Sequence, residues 1–221
     1  MKENAVSDFD TLLSQNELEI LNALDSPFRI QAFLDDTPYS AEDANRSPVR
    51  VLRERTAHCL DGALFAAAIL RRIGHPPLIL DLLPEPGQDD DHVLAVFRID
   101  SHFGAIAKSN FTGLRFREPI FRTLRELILS YFEAFFNVNG EKTLRAYSRL
   151  MDLRRYDRFD WLTSDRGVDI IEKQLYKRKR IPLVDRRMID QFSPVDQITY
   201  RAGMLVVNQA GLYKPKRAPE L

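Results

Sequence analysis

The sequence predicts an α+β fold in which a cysteine-bearing helix packs on an antiparallel sheet, with additional helices at both ends. Three observations lead there. Residues 56–73 (Thr-Ala-His-Cys-Leu-Asp-Gly-Ala-Leu-Phe-Ala-Ala-Ala-Ile-Leu-Arg-Arg-Ile) are rich in helix formers and bounded by terminus signals. Residues 78–83 and 92–99 are apolar runs of strand length, and residues 105–111 return antiparallel after a turn at 100–104. On either side of this block the apolar residues recur at helical spacing.

The central helix is the best signed element. Thr56 is its candidate N-cap, Asp61 lies near its positive end, Arg71 and Arg72 occupy its last turn, and Gly74 with Pro76-Pro77 stops it. Its alanines (Ala63, Ala66, Ala67, Ala68) suit close packing on more than one side. Upstream, residues 10–24 gather Leu12, Leu13, Leu18, Ile20, Leu21 and Leu24 on one helical side, residues 28–34 form a second short helix, and residues 35–48 read as a loop. Downstream, Leu124, Leu127, Ile128, Tyr131, Phe132, Phe135 and Phe136 predict a helix ending near Gly140, its aromatic stripe serving as core. Further helices are expected over 144–151, 168–176 and 184–192. The organisation expected is an N-terminal helical segment (1–50), a core (51–120) and a helical C-terminal extension (121–221), together one compact unit.

Composition narrows the function. With 32 basic and 32 acidic residues in 221, no general field draws the chain to nucleic acid or anionic lipid, so neither partner is expected. Residues 1–8 lack the apolar core of a signal peptide, and no apolar run approaches the roughly 18 residues needed to span a bilayer, which predicts a cytoplasmic protein. The single cysteine excludes an intrachain disulfide and a cysteine-rich zinc site. No histidine pair has metal-ligand spacing, and Asp89-Asp90-Asp91 lacks the pattern of a calcium loop, so no metal or other cofactor is expected. The acidic trio and Lys177-Arg178-Lys179-Arg180 read as solubility features, and His58 and His102 as surface residues.

Cys59 lies in the first turn of the central helix, where unpaired N–H groups and aligned peptide dipoles favour a thiolate. The dipole alone lowers a thiol pKa near 8.5 by about one unit, so a cationic partner is needed. His92, opening a strand 33 residues later, is the candidate base. The pair predicts an accessible, acidic thiol, with the Cys59 backbone N–H as oxyanion donor and the Gln31 amide as a second.

The stretch from Cys59 through Leu70-Arg71-Arg72-Ile73-Gly74-His75-Pro76-Pro77, followed by Asp91-His92-Val93 on a strand, resembles the transglutaminase-like superfamily. The resemblance covers roughly residues 55–115. It implies a papain-like core and acyl chemistry on an amide, peptide or thioester bond through a Cys59 thioester, as hydrolysis or transfer. Members carry an aromatic residue and then Asp-Pro on the returning strand; this chain has Phe103-Gly104 and then Lys108-Ser109-Asn110. The alternative is therefore a degenerate member that keeps the fold as a binding module. A plain helical interaction protein with Cys59 in its core is the third reading.

Chain geometry selects the residue that orients His92. Asp100 lies about 26 Å away along an extended strand, so only the returning strand reaches back. A three-residue loop at 100–102 pairs positions summing to 202, which sets Asn110 opposite His92. A loop of even length shifts the register by one and presents Ser109 or Phe111 instead.

Overall fold

The computed structural model of the chain describes residues 9–215. The expectation about residues 1–8 lies outside them. After a helical stretch at residues 9–11, the described chain runs through α1 (Gln15–Asn22), α2 (Pro27–Asp35), α3 (Pro48–Glu54) and the long α4 (Cys59–Arg72). Three strands follow as a meander, β1 (Leu78–Pro84), β2 (His92–Ile99) and β3 (His102–Ile106), and then β4 (Arg117–Phe121) and α5 (Leu124–Leu129). The chain continues through β5 (Leu144–Ser148), β6 (Met151–Asp152), α6 (Asp165–Leu175), β7 (Arg180–Pro182), α7 (Arg186–Ile189) and α8 (Gln197–Gly203).

The architecture is α+β, built on a seven-stranded antiparallel sheet ordered β4-β3-β2-β1-β5-β7, with β6 also pairing with β1. Side chains alternate across this sheet and feed two cores. Ile79, Val93, Ala95, Phe97 and Ile106 meet α1 to α4 and α6 on one face. Leu80, Leu82, Leu94, Val96, Ala105 and Ala107 meet α5 and the aromatic residues Tyr131 and Phe135 on the other. Central strands covered on both faces account for the continuous apolar runs in the sequence.

Several sequence expectations change. The helix expected over residues 10–24 breaks at Ser14, whose side chain caps α1 in a complete capping box with Glu17. The helix expected after Pro119 shortens to α5, because Pro119 sits in the edge strand β4 and a 3-10 turn, Phe132–Ala134, replaces the second half. Residues 144–151 form β5 and the start of β6 rather than a helix, so the described residues after 121 are not a purely helical extension: β5, β6 and β7 complete the sheet between the helices. Alternation in Leu144-Arg145-Ala146-Tyr147-Ser148 reads with either period at five residues, and pairing with β1 decides it. No helix among the described residues is long and apolar enough to cross a membrane.

Helix α4 is buried from Leu60 to Leu70, and Phe65 stacks on Phe33 of α2 at 4.8 Å between centroids. Its start is fixed by Asp61, not Thr56: the Asp61 carboxylate accepts the His58 N–H at 3.2 Å and the Arg46 N–H at 2.7 Å. It thereby ties the 38–47 loop to the helix end. Gly62 lets the chain after β3 cross the helix closely, since a Cβ there would lie 2.2 Å from Lys108 Cβ. Gly62→Ala gains up to ~1 kcal/mol in helix propensity but forces that crossing apart. Urea unfolding should show a net loss of roughly 1–2 kcal/mol; an unchanged or raised midpoint would contradict the crossing.

Candidate functional site

Cys59 is the first residue of α4 and half-buried, and it lines a cavity of about 580 Å³. Its sulfur lies against the start of β2, 4.0 Å from the Asp91 carbonyl, with the Val93 N–H directed at it. The surrounding groups are acidic. Asp91, Asp90 and Asp81 add their charges to burial, and together they push the thiol well above its ordinary value. These surroundings run against the expectation of an acidic Cys59: the helix dipole offers about one unit, and desolvation with three carboxyls opposes it.

His92 is not brought to Cys59. Its neighbours in the alternation, Leu94 and Val96, belong to the core on the face away from α4, while Val93, Ala95 and Phe97 pack toward α4. The imidazole follows the even-numbered residues. It is buried, and Nε2 donates to the Leu114 carbonyl at 2.7 Å. Burial, aided by the Arg117 charge, lowers its pKa to about 4, against a weaker opposing effect of the Leu114 bond. His92 is thus a neutral core histidine, beside Cys59 along the backbone and turned from it by one pleat.

Asn110 lies at the same small cleft of about 40 Å³ as His92, but its side chain is committed elsewhere. Its amide donates to the Asn208 and Gly211 carbonyls at 3.0 and 3.3 Å and accepts the Asn208 N–H at 2.7 Å. The β2–β3 turn has two residues, Asp100 and Ser101, both at positive φ, so paired positions sum to 201 rather than 202. The ladder also stops at Ile106. Gln31 explains the stop: its side chain binds both the N–H and the carbonyl of Ala107 at 3.0 Å, replacing the next strand pair. Lys108 then turns inward to the carbonyls of Leu34 and Thr37 at the end of α2. Gln31, expected as an oxyanion donor, is therefore a strand terminator, and Asn110 anchors the C-terminal segment across the cavity mouth.

Two groups escaped the sequence reading. The acidic trio is no solubility feature: Asp90 and Asp91 line the cavity with Cys59, and burial raises Asp91 to about 7 and Asp89 to about 6. Asp81 sits in the middle of β1 on the α4 face, 1% exposed, against the Asp91 carboxyl and the His92 N–H at the start of β2, and burial raises its pKa well above the ordinary carboxylate value. A lone Asp inside Leu-Ile-Leu-Asp-Leu-Leu was its signal. His58, expected at the surface, is half-buried in the cavity wall with Nε2 3.3 Å from Asp61, and burial lowers its pKa to about 4. Among the described residues no three of His, Cys, Asp and Glu are grouped as metal ligands would be.

Because Asp91 is raised in the fold, its protonated form favours folding below the unfolded value of about 4, and that advantage is lost as pH climbs toward 7. Asp91→Asn should therefore leave unfolding free energy unchanged near pH 4 and raise it by on the order of 1–3 kcal/mol at pH 8. Denaturant titrations at both pH values check this; a variant less stable at pH 8 would contradict it.

No protein-family model and no curated protein matches the chain.

Proposed function

We propose that this chain is a transglutaminase-like, papain-class fold used as a binding module, with the cavity over Cys59 as its ligand site and no thiol catalysis. One observation carries the reading: His92 donates to Leu114 on the sheet face away from α4. Thioester chemistry requires a base within hydrogen-bond reach of the nucleophile and an imidazolium to hold the thiolate. A neutral histidine behind the sheet supplies neither. The carboxyls that do approach Cys59 oppose the thiolate instead of stabilising it.

The acyl-transfer reading retains one observation in its favour, the placement of Cys59 at a helix N-terminus facing an open cavity. An amide, peptide or thioester substrate would enter there, with Cys59 attacking and another group carrying the proton. The two readings differ in what Cys59 does with pH.

Alkylation of Cys59 by iodoacetamide, followed against pH, should have a midpoint above the free-thiol value of about 8.5. The rate should stay within about twofold in His92→Ala, once folding is verified by circular dichroism. A midpoint below about 8, with a hundredfold slower reaction in the variant, would restore the Cys59–His92 dyad and remove the binding-module reading.

A further inference from the structure

The last described stretch of the chain crosses the mouth of the cavity over Cys59. Ala210, Gly211, Leu212, Tyr213 and Lys214 line that cavity, and Gly211 and Tyr213 also line the small cleft that holds His92 and Asn110. Helix α8, just before this stretch, is built into the body. Tyr200 donates its hydroxyl to the Val138 carbonyl at 2.9 Å, Thr112 donates to the Ala202 carbonyl at 2.7 Å, and a Cβ on Gly203 would come within 2.5 Å of the Phe136 ring. After Met204 this anchoring ends. Leu205 and Val206 are 79% and 63% exposed, and no residue of 204–215 belongs to either apolar core.

What fastens the stretch is polar and concentrated at two asparagines. Asn110, buried just after β3, donates to the Asn208 and Gly211 carbonyls and accepts the Asn208 N–H, so all three bonds go to backbone groups. Asn208 carries the fastening to another wall: its Nδ2 donates to the Tyr39 carbonyl at 3.1 Å, and its Oδ1 accepts the Ala210 N–H at 3.1 Å. Tyr39 belongs to the 38–47 loop, and its ring lies against Gly211, where a Cβ would stand 3.0 Å from it. Residues 205–214 thus form a strap tied between two fixed walls. Each tie is a hydrogen bond for which water competes, and its net contribution is small. A segment with few buried apolar contacts, held by such bonds, opens locally while the core stays folded.

We propose that residues 205–214 are a lid over the cavity, latched by Asn110 and hinged at Met204 where α8 ends, and that releasing the latch opens Cys59 to large molecules while the rest of the fold stays intact. The lid governs entry alone. It therefore goes beyond the binding-module reading and does not depend on it.

Labelling of Cys59 by a bulky reagent, fluorescein maleimide, reads the lid in the full chain at one fixed pH. Asn110→Ala should speed the labelling at least about fivefold, and the amides of 205–214 should gain hydrogen exchange while those of α4 and β2 do not. Because Asn110 is buried, Gly211→Val supplies a check that leaves the interior alone: its side chain lifts the strap from the Tyr39 ring, and it should give the same acceleration. Circular dichroism and the urea midpoint verify the fold of each variant. The proposal is overturned by labelling that stays within about twofold of the wild type in Gly211→Val or in a folded Asn110→Ala. It is overturned equally if the acceleration in Gly211→Val comes with matching exchange in α4 and β2, since Cys59 is then reached by general unfolding. The binding-module reading falls on a different result, a low alkylation midpoint that depends on His92, and that result would leave the lid in place.

Discussion

Strand β2 is covered on both faces, and a strand so placed has no freedom in which side chain goes where. Val93, Ala95 and Phe97 must fill the space under α4, and Leu94 and Val96 must fill the opposite core. A slip by one residue would exchange the two sets along the whole strand and bury each against the wrong partners. His92 has no say in this choice. Five apolar side chains, each worth on the order of 1–3 kcal/mol of burial, fix the direction of one imidazole. From that constraint follow the neutral histidine, the unpaired thiol and the carboxyls that occupy the ground beside it.

The same constraint shapes the acidic pair. On the α4 face, positions 81 of β1 and 91 before β2 fall close to Cys59, where a catalytic fold would assemble its base. Both are aspartates here, and the cavity above them is walled by the 38–47 loop, α6 and the C-terminal segment that Asn110 holds. Asp61 and Asn45 pin two of those walls, the first to the start of α4 and the second to Glu172 of α6. These contacts hold the walls of the cavity in place around Cys59 and the two aspartates.

The α+β class, the extent of α4 and the limits of β2 were legible in the sequence because terminus signals and long apolar runs state them locally. Gly74, at positive φ, ends α4 where the Arg-Arg-Ile-Gly-His-Pro-Pro pattern places it. What the sequence could not settle was relational. Whether Asp100-Ser101 turns in two residues or three is decided by strand twist, and it moves every position of the return strand by one. That Gln31 ends β3 by binding Ala107 is a contact between residues 76 apart, invisible to any local pattern. The face of His92 was also relational: a strand buried on both sides has no polar side to mark its outward direction. Cys59 was found at its helix start and cavity; the identity of its neighbours was not.

The imidazole of His92 therefore provides the most direct measurement. Its pKa, followed by NMR through the ring proton shifts, should lie near 4 and should not move when Cys59 is replaced by alanine, because the ring is buried and bonded to Leu114 rather than to the thiol. A value above about 7 that falls on removal of Cys59 would be the signature of a thiolate–imidazolium pair and would contradict the account.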